Sequence, residues 1–103
     1  MSIRKKYLAS KNVCKVTFTL PKAAVSKANS VCLVGDFNGW NKSVNPMKRL
    51  RNGDYTVTME LGRGREYEFR YLIDGTRWEN DWYADKYIPS PHPYCDNSVI
   101  EIP

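Results

Sequence analysis

At 103 residues the chain has room for one domain with a modest core. A hydrophobic content of 42% with 13% aromatic residues excludes a disordered chain, and the short apolar runs exclude a membrane-spanning helix. The net charge of +5 is uneven, with 11 Lys or Arg against Asp36 alone in residues 1–51 and 5 against 10 acidic residues thereafter.

Residues 1–12 are polar and basic without a clear period and read as a loose arm ahead of a single domain over residues 13–103. No apolar stretch follows the basic residues, so the reading is of no signal peptide and a cytoplasmic protein. From Cys14 to Leu20 the chain alternates. Cys14, Val16, Phe18 and Leu20 take one side, and Lys15, Thr17 and Thr19 the other, which predicts a half-buried strand. Pro21 ends it, and Lys22 to Ser30 is a polar connector of weak helical character. Val31 to Gly35 is apolar on both faces and predicts a deeply buried strand.

Asp36 to Asn45 is a turn-rich loop with Asn38-Gly39 as its sharpest signal. A short strand at Met47–Arg51 turns through Asn52-Gly53-Asp54 into an alternating strand with Tyr55, Val57, Met59 and Leu61 on its inner face. After a turn at Gly62–Arg65, Tyr67, Phe69, Tyr71 and Ile73 form another inner face, opposite Glu66, Glu68, Arg70 and Leu72. Asp74-Gly75 is a hairpin-type turn. Thr76 to Cys95 reads as irregular, with prolines at 89, 91 and 93, before a last strand at Ser98–Ile102. About seven short strands without a convincing helix predict an all-β antiparallel sandwich, with an OB-like barrel as the competing architecture.

The two most informative segments are VCLVGDFNGW, residues 31–40, and EFRYLIDGTRW, residues 68–78. Each is a β-rich run that ends in a tight turn and then presents a tryptophan, Trp40 and Trp78. Arg70 lies between them on a strand face that points away from the core. Flat apolar rings beside a multi-donor cation suit a pyranose, which offers an apolar C–H face for stacking and a rim of hydroxyls for hydrogen bonding. Plain alternatives stand beside this reading. The tryptophans could pin their own loops, and Arg70 could be a cross-strand ion-pair partner of Glu66 or Glu68.

These segments, with the closing DNSVIEI, resemble the glycogen- and starch-binding domains of carbohydrate-binding module family 48, the isoamylase and branching-enzyme N-terminal domains. The glycogen-binding domain of the AMP-activated kinase β subunit belongs to the same group. The resemblance runs over roughly residues 13–103, and the likeness is nearest to short bacterial proteins made of this domain alone. It implies an early-set, immunoglobulin-like sandwich that binds α-1,4-glucans such as glycogen, starch-like polymers or maltooligosaccharides without catalysis. By position Trp40 matches the first stacking tryptophan and Trp78 the second, with one extra residue in GTRW. Arg70 stands where the kinase subunit has lysine, keeping the charge but changing the donor geometry. The hydroxyl-binding asparagine is most simply Asn97, although a shift of one residue places Ser98 there. The stretch from Glu79 to Tyr94 departs from the kinase-type pattern by adding Trp82, Tyr83, Tyr87 and Tyr94.

Other chemistry finds little footing in the residues. Cys14, Cys32 and Cys95 lack metal or disulfide spacing, and no cofactor is expected. Glu79, Asp81 and Asp85 do not match an EF-hand loop, so no metal is expected either. His92, the single histidine, has no nucleophile in a plausible context, and no carboxylate pair can be assigned across a cleft. The expectation is therefore a non-enzyme. Two competing readings remain, docking on a separate glucan-metabolising enzyme through the aromatic loop, and nucleic-acid binding through the basic first half.

Overall fold

The computed structural model describes residues 3–90 and 96–103. Ten strands form among the described residues: β1 (Ile3–Tyr7), β2 (Val13–Leu20), β3 (Val31–Gly35), β4 (Asn45–Pro46), β5 (Lys48–Arg49), β6 (Tyr55–Gly62), β7 (Arg65–Ile73), β8 (Arg77–Glu79), β9 (Lys86–Pro89) and β10 (Asp96–Ile102). One sheet runs β1-β2-β6-β5 and the other β4-β3-β7-β10-β9, with β8 also paired to β7. Every pairing is antiparallel. Two separate sheets packed face to face make a sandwich, as the alternation predicted, and not a closed barrel.

The core follows directly from the period of two. Cys14, Val16, Phe18 and Leu20 of β2 are buried, and β2 pairs with β6 over eight residues, from Val13 opposite Gly62 to Leu20 opposite Tyr55. Facing them, Tyr67, Phe69, Tyr71 and Ile73 of β7 are buried with Ile100 and Ile102 of β10. Phe18 meets Phe69 edge-on across the sheets at 5.2 Å between ring centroids, and Phe69 meets Tyr71 edge-on at 5.8 Å. This is the geometry that aromatic quadrupoles favour.

Four strands differ from the sequence expectation. Residues 3–7, expected in a loose arm, form β1 in register with β2, from Ile3 opposite Phe18 to Tyr7 opposite Cys14. The cause is tertiary. Ile3 packs against the core, and the Lys5 ammonium crosses to the other sheet, where it donates to Asp85 at 2.7 Å and to the Glu101 carbonyl at 2.9 Å. The basic residues of β1 also suit an edge strand, where charge discourages pairing with other chains. The stretch expected to be irregular supplies β8 and β9, and a two-residue β4 pairs with β3. Hence there are ten strands and not about seven.

Close contact between β3 and β7 depends on Gly35. A Cβ there would lie 2.5 Å from the Glu68 carbonyl oxygen and 2.7 Å from the Phe69 Cβ, so the strands would have to part. Gly35→Ala is expected to lower the unfolding free energy by about 1–3 kcal/mol, as overpacking does. Urea denaturation measures it, and an unchanged midpoint would refute the constraint.

At one end of the core the Tyr71 hydroxyl donates to the Asp81 carboxylate at 2.6 Å, and both residues are buried. Burial, then the charge of Asp81, pushes the Tyr71 phenol well above its ordinary range. Burial likewise raises the Asp81 carboxyl, against the hydrogen bonds it accepts from Tyr71 and the Tyr83 amide. A raised phenol keeps its proton in the fold after the unfolded chain has lost it, so its share of stability disappears as pH climbs past about 10. The stability difference between wild type and Tyr71→Phe should therefore shrink above that pH. A difference that stays constant from neutral to alkaline pH would contradict the assignment.

Candidate functional site

The outer face of β7 carries Glu66, Glu68, Arg70 and Leu72, the alternate set to the core residues. β3 flanks one edge of β7, placing Val34 opposite Arg70, and on the other edge β10 and then β8 follow along the strand. Trp78 on β8 stands opposite Leu72. Asn97 precedes Ser98, which is opposite Phe69, so Asn97 shares the outer face with Arg70.

The structure therefore brings Arg70, Trp78 and Asn97 together. The Arg70 Nε donates to the Asn97 Oδ1 at 2.6 Å, and the Asn97 Nδ2 donates to the Glu68 Oε1 at 2.9 Å. This orientation of the amide is the one that serves both neighbours. The Arg70 guanidinium carbon lies 5.8 Å from the centroid of the Trp78 ring. Arg70 points outward as the alternation predicted but is not on a solvated face, being only 6% exposed among its neighbours. Nor does it form a direct ion pair with Glu66 or Glu68, because Asn97 stands between the two charges. Ser98, in contrast to Asn97, points to the inner side, accepting from the Asp81 amide and donating to Asn80.

Trp40 is held by a separate device. Its amide donates to the Gly35 carbonyl at 2.9 Å, and its indole Nε1 donates to the Asp36 Oδ1 at 2.9 Å. The other oxygen of Asp36 accepts the Glu68 amide at 2.8 Å, so one carboxylate ties the tryptophan loop to β7. Gly39 and Trp40 both adopt left-handed backbone, with φ of 65° and 59°. That conformation is unusual for a bulky residue and is sustained here by the fixed bonds on either side. Asn38 closes the base of the loop, accepting from the Gly35 amide and donating to the Leu33 carbonyl and to Asn45. With the indole N–H committed to Asp36, Trp40 has only ring surface to offer a ligand.

Sequence reasoning missed Lys42, whose ammonium lies 5.8 Å from the centroid of the Trp78 ring and links the Trp40 loop to the second tryptophan. It also took Asp36 as a turn residue without its bond to Trp40, although the spacing of four residues within a turn-rich loop was a visible signal. Among the rings added after Trp78, Trp82, Tyr83 and Tyr87 are exposed, while Tyr94, His92 and Cys95 lie outside the described residues. Among the described residues no three His, Cys, Asp or Glu side chains group as metal ligands, and Asp81 and Asp85 are engaged with Tyr71 and Lys5.

The family model of carbohydrate-binding module 48, the isoamylase N-terminal domain, matches residues 24–88. The chain belongs to this family of carbohydrate-binding modules. The matched stretch includes Trp40, Arg70 and Trp78 and stops before β10, so Asn97 lies beyond it. No curated protein matches the chain. Among the described residues no helix is long and apolar enough to cross a membrane.

Removing the Asp36 carboxylate strands two donors, the Trp40 indole N–H and the Glu68 amide. Asp36→Ala should cost about 1–3 kcal/mol of stability and loosen the Trp40 ring. Denaturation and the intrinsic fluorescence of Trp40 in a variant with Trp78 and Trp82 replaced by phenylalanine report the two effects. Wild-type values for both would refute the anchoring role.

Proposed function

We propose that this module is a cytoplasmic, non-catalytic binder of glycogen or a related α-1,4-glucan, acting through Trp40, Trp78, Arg70 and Asn97. The observation that carries the reading is the Glu68–Asn97–Arg70 chain of hydrogen bonds set beside Trp78. It supplies polar groups of fixed orientation next to an aromatic face on an open sheet, where a sugar ring can stack and its hydroxyls can be met. Trp40 offers its ring faces only, since its polar edge is taken up by Asp36. Burial of Arg70 favours a preorganised donor over a mobile one, which lowers the ordering cost of binding.

Each stacked ring contributes about 1 kcal/mol, so a single site holds a short oligosaccharide weakly. Retention on a branched polymer then depends on many copies of the ligand within reach of one another. Trp40→Ala and Trp78→Ala should each lose retention in a glycogen-containing native gel while keeping the wild-type melting temperature within a few degrees. Undiminished retention of both folded variants would overturn the site. Isothermal titration with β-cyclodextrin, a closed ring of α-1,4-linked glucose, tests the ligand class itself.

A further inference from the structure

Beyond the site around Trp78, the segment from the end of β8 into β9 displays three aromatic rings to solvent. Trp82 is 47% exposed, Tyr83 62% and Tyr87 43%. The backbone beneath them is tightly fixed. Asp81, only 1% exposed, donates its amide to the Ser98 hydroxyl and accepts the Tyr83 amide and the Tyr71 hydroxyl on its carboxylate. Its carbonyl accepts the Tyr87 hydroxyl at 2.6 Å. A buried carboxylate is an expensive anchor, and here it immobilises a loop whose rings have no packing duty that matches their size.

We propose that Trp82 and Tyr83 form a second aromatic contact for the same α-glucan, so that a long chain leaving the Trp78 site is gripped again at the edge of the sheet. This rests on the reading given under Proposed function. Continuity with that site favours the glucan as occupant. Trp82 follows Trp78 by four residues, so their Cα atoms are at most about 14 Å apart. Between them the Asn80 side chain donates to the Asp96 carbonyl, next to Asn97. The character of the patch agrees. Large exposed apolar side chains in this segment are all Trp or Tyr, without an exposed aliphatic residue to build the apolar centre of a protein interface. Within the segment both exposed charges are paired, Asp85 with Lys5 and Lys86 with Glu66, so the rings are not crowded by a free charge of their own segment, which suits an uncharged polyhydroxyl chain. Asp81 bonds Tyr71 and Ser98 of the inner face, whereas Trp78 lies beside the outer-face residue Arg70, so Trp82 and Tyr83 are assigned to a longer chain than the short or closed oligosaccharide seated on Trp78.

The test compares wild type, Tyr83→Ala and the Trp82→Ala/Tyr83→Ala double variant on two ligands. β-Cyclodextrin is titrated calorimetrically, and glycogen retention is measured by affinity electrophoresis. The double variant should bind glycogen about tenfold more weakly, with the single variant in between, while cyclodextrin affinity stays within twofold of wild type. Unchanged glycogen retention overturns the second contact and leaves the Trp78 site standing. Equal loss on both ligands overturns it too, because the rings would then belong to the first site. A folded wild type that binds neither ligand fails the functional reading, and this inference with it.

Discussion

Edge-on packing of Phe69 between Phe18 and Tyr71 holds β7 in register, and the outer surface of the sheet depends on that register. A strand has no freedom to place one face independently of the other, since a slip of one residue exchanges them. Once three rings of β7 are committed to the core, Glu68, Arg70 and Leu72 must share the opposite side. The same logic applies to β10, where burial of Ile100 and Ile102 turns Asn97 outward beside Arg70. The hydrophobic interior thus sets the geometry of a polar cluster that it does not touch.

That cluster handles charge without direct ion pairing. Arg70 is nearly covered, and a covered guanidinium is tolerable only with hydrogen bonds and a nearby opposite charge. Asn97 accepts the Arg70 hydrogen bond, and by donating to Glu68 it holds the opposite charge nearby. Asp36 does similar work on the other flank, where one carboxylate holds the Trp40 indole and the Glu68 amide. Glu68 therefore links the two halves of the site, its side chain facing Asn97 and its backbone tied to the Trp40 loop. These bonds hold the Trp40 loop and the Arg70 side chain in place without using the face of the Trp40 ring.

The strands that alternate cleanly were legible because each face of such a strand meets one environment along its whole length. β2, β6 and β7 belong to this class, β3 and β10 were legible as short apolar-rich runs, and the tight turns beside Trp40 and Trp78 were marked by Asn38-Gly39 and Asp74-Gly75. β1, β8 and β9 were not legible. Ile3 is the one apolar residue of β1 that packs on the core, and Lys5 earns its place through Asp85 and Glu101, residues about eighty and more positions away. Of the prolines that made residues 76–95 look irregular, Pro89 closes β9, a short edge strand, while Pro91 and Pro93 lie outside the described residues. The exposure of Arg70 was misjudged for a related reason, since alternation tells which way a side chain points but not what stands over it.

By itself the sequence determined the all-β class, the inner faces of the long strands and the two turn-borne tryptophans with Arg70 between them. Those features are local, written in a period of two and in the backbone needs of glycine and asparagine. Only the tertiary structure decided that Asn97 bridges Arg70 and Glu68, that Lys42 reaches Trp78 and that Asp81 anchors the exposed aromatic loop. Each of these joins residues from different strands or loops, and the partner of a polar side chain is chosen by how the strands pair in space, which local pattern does not encode.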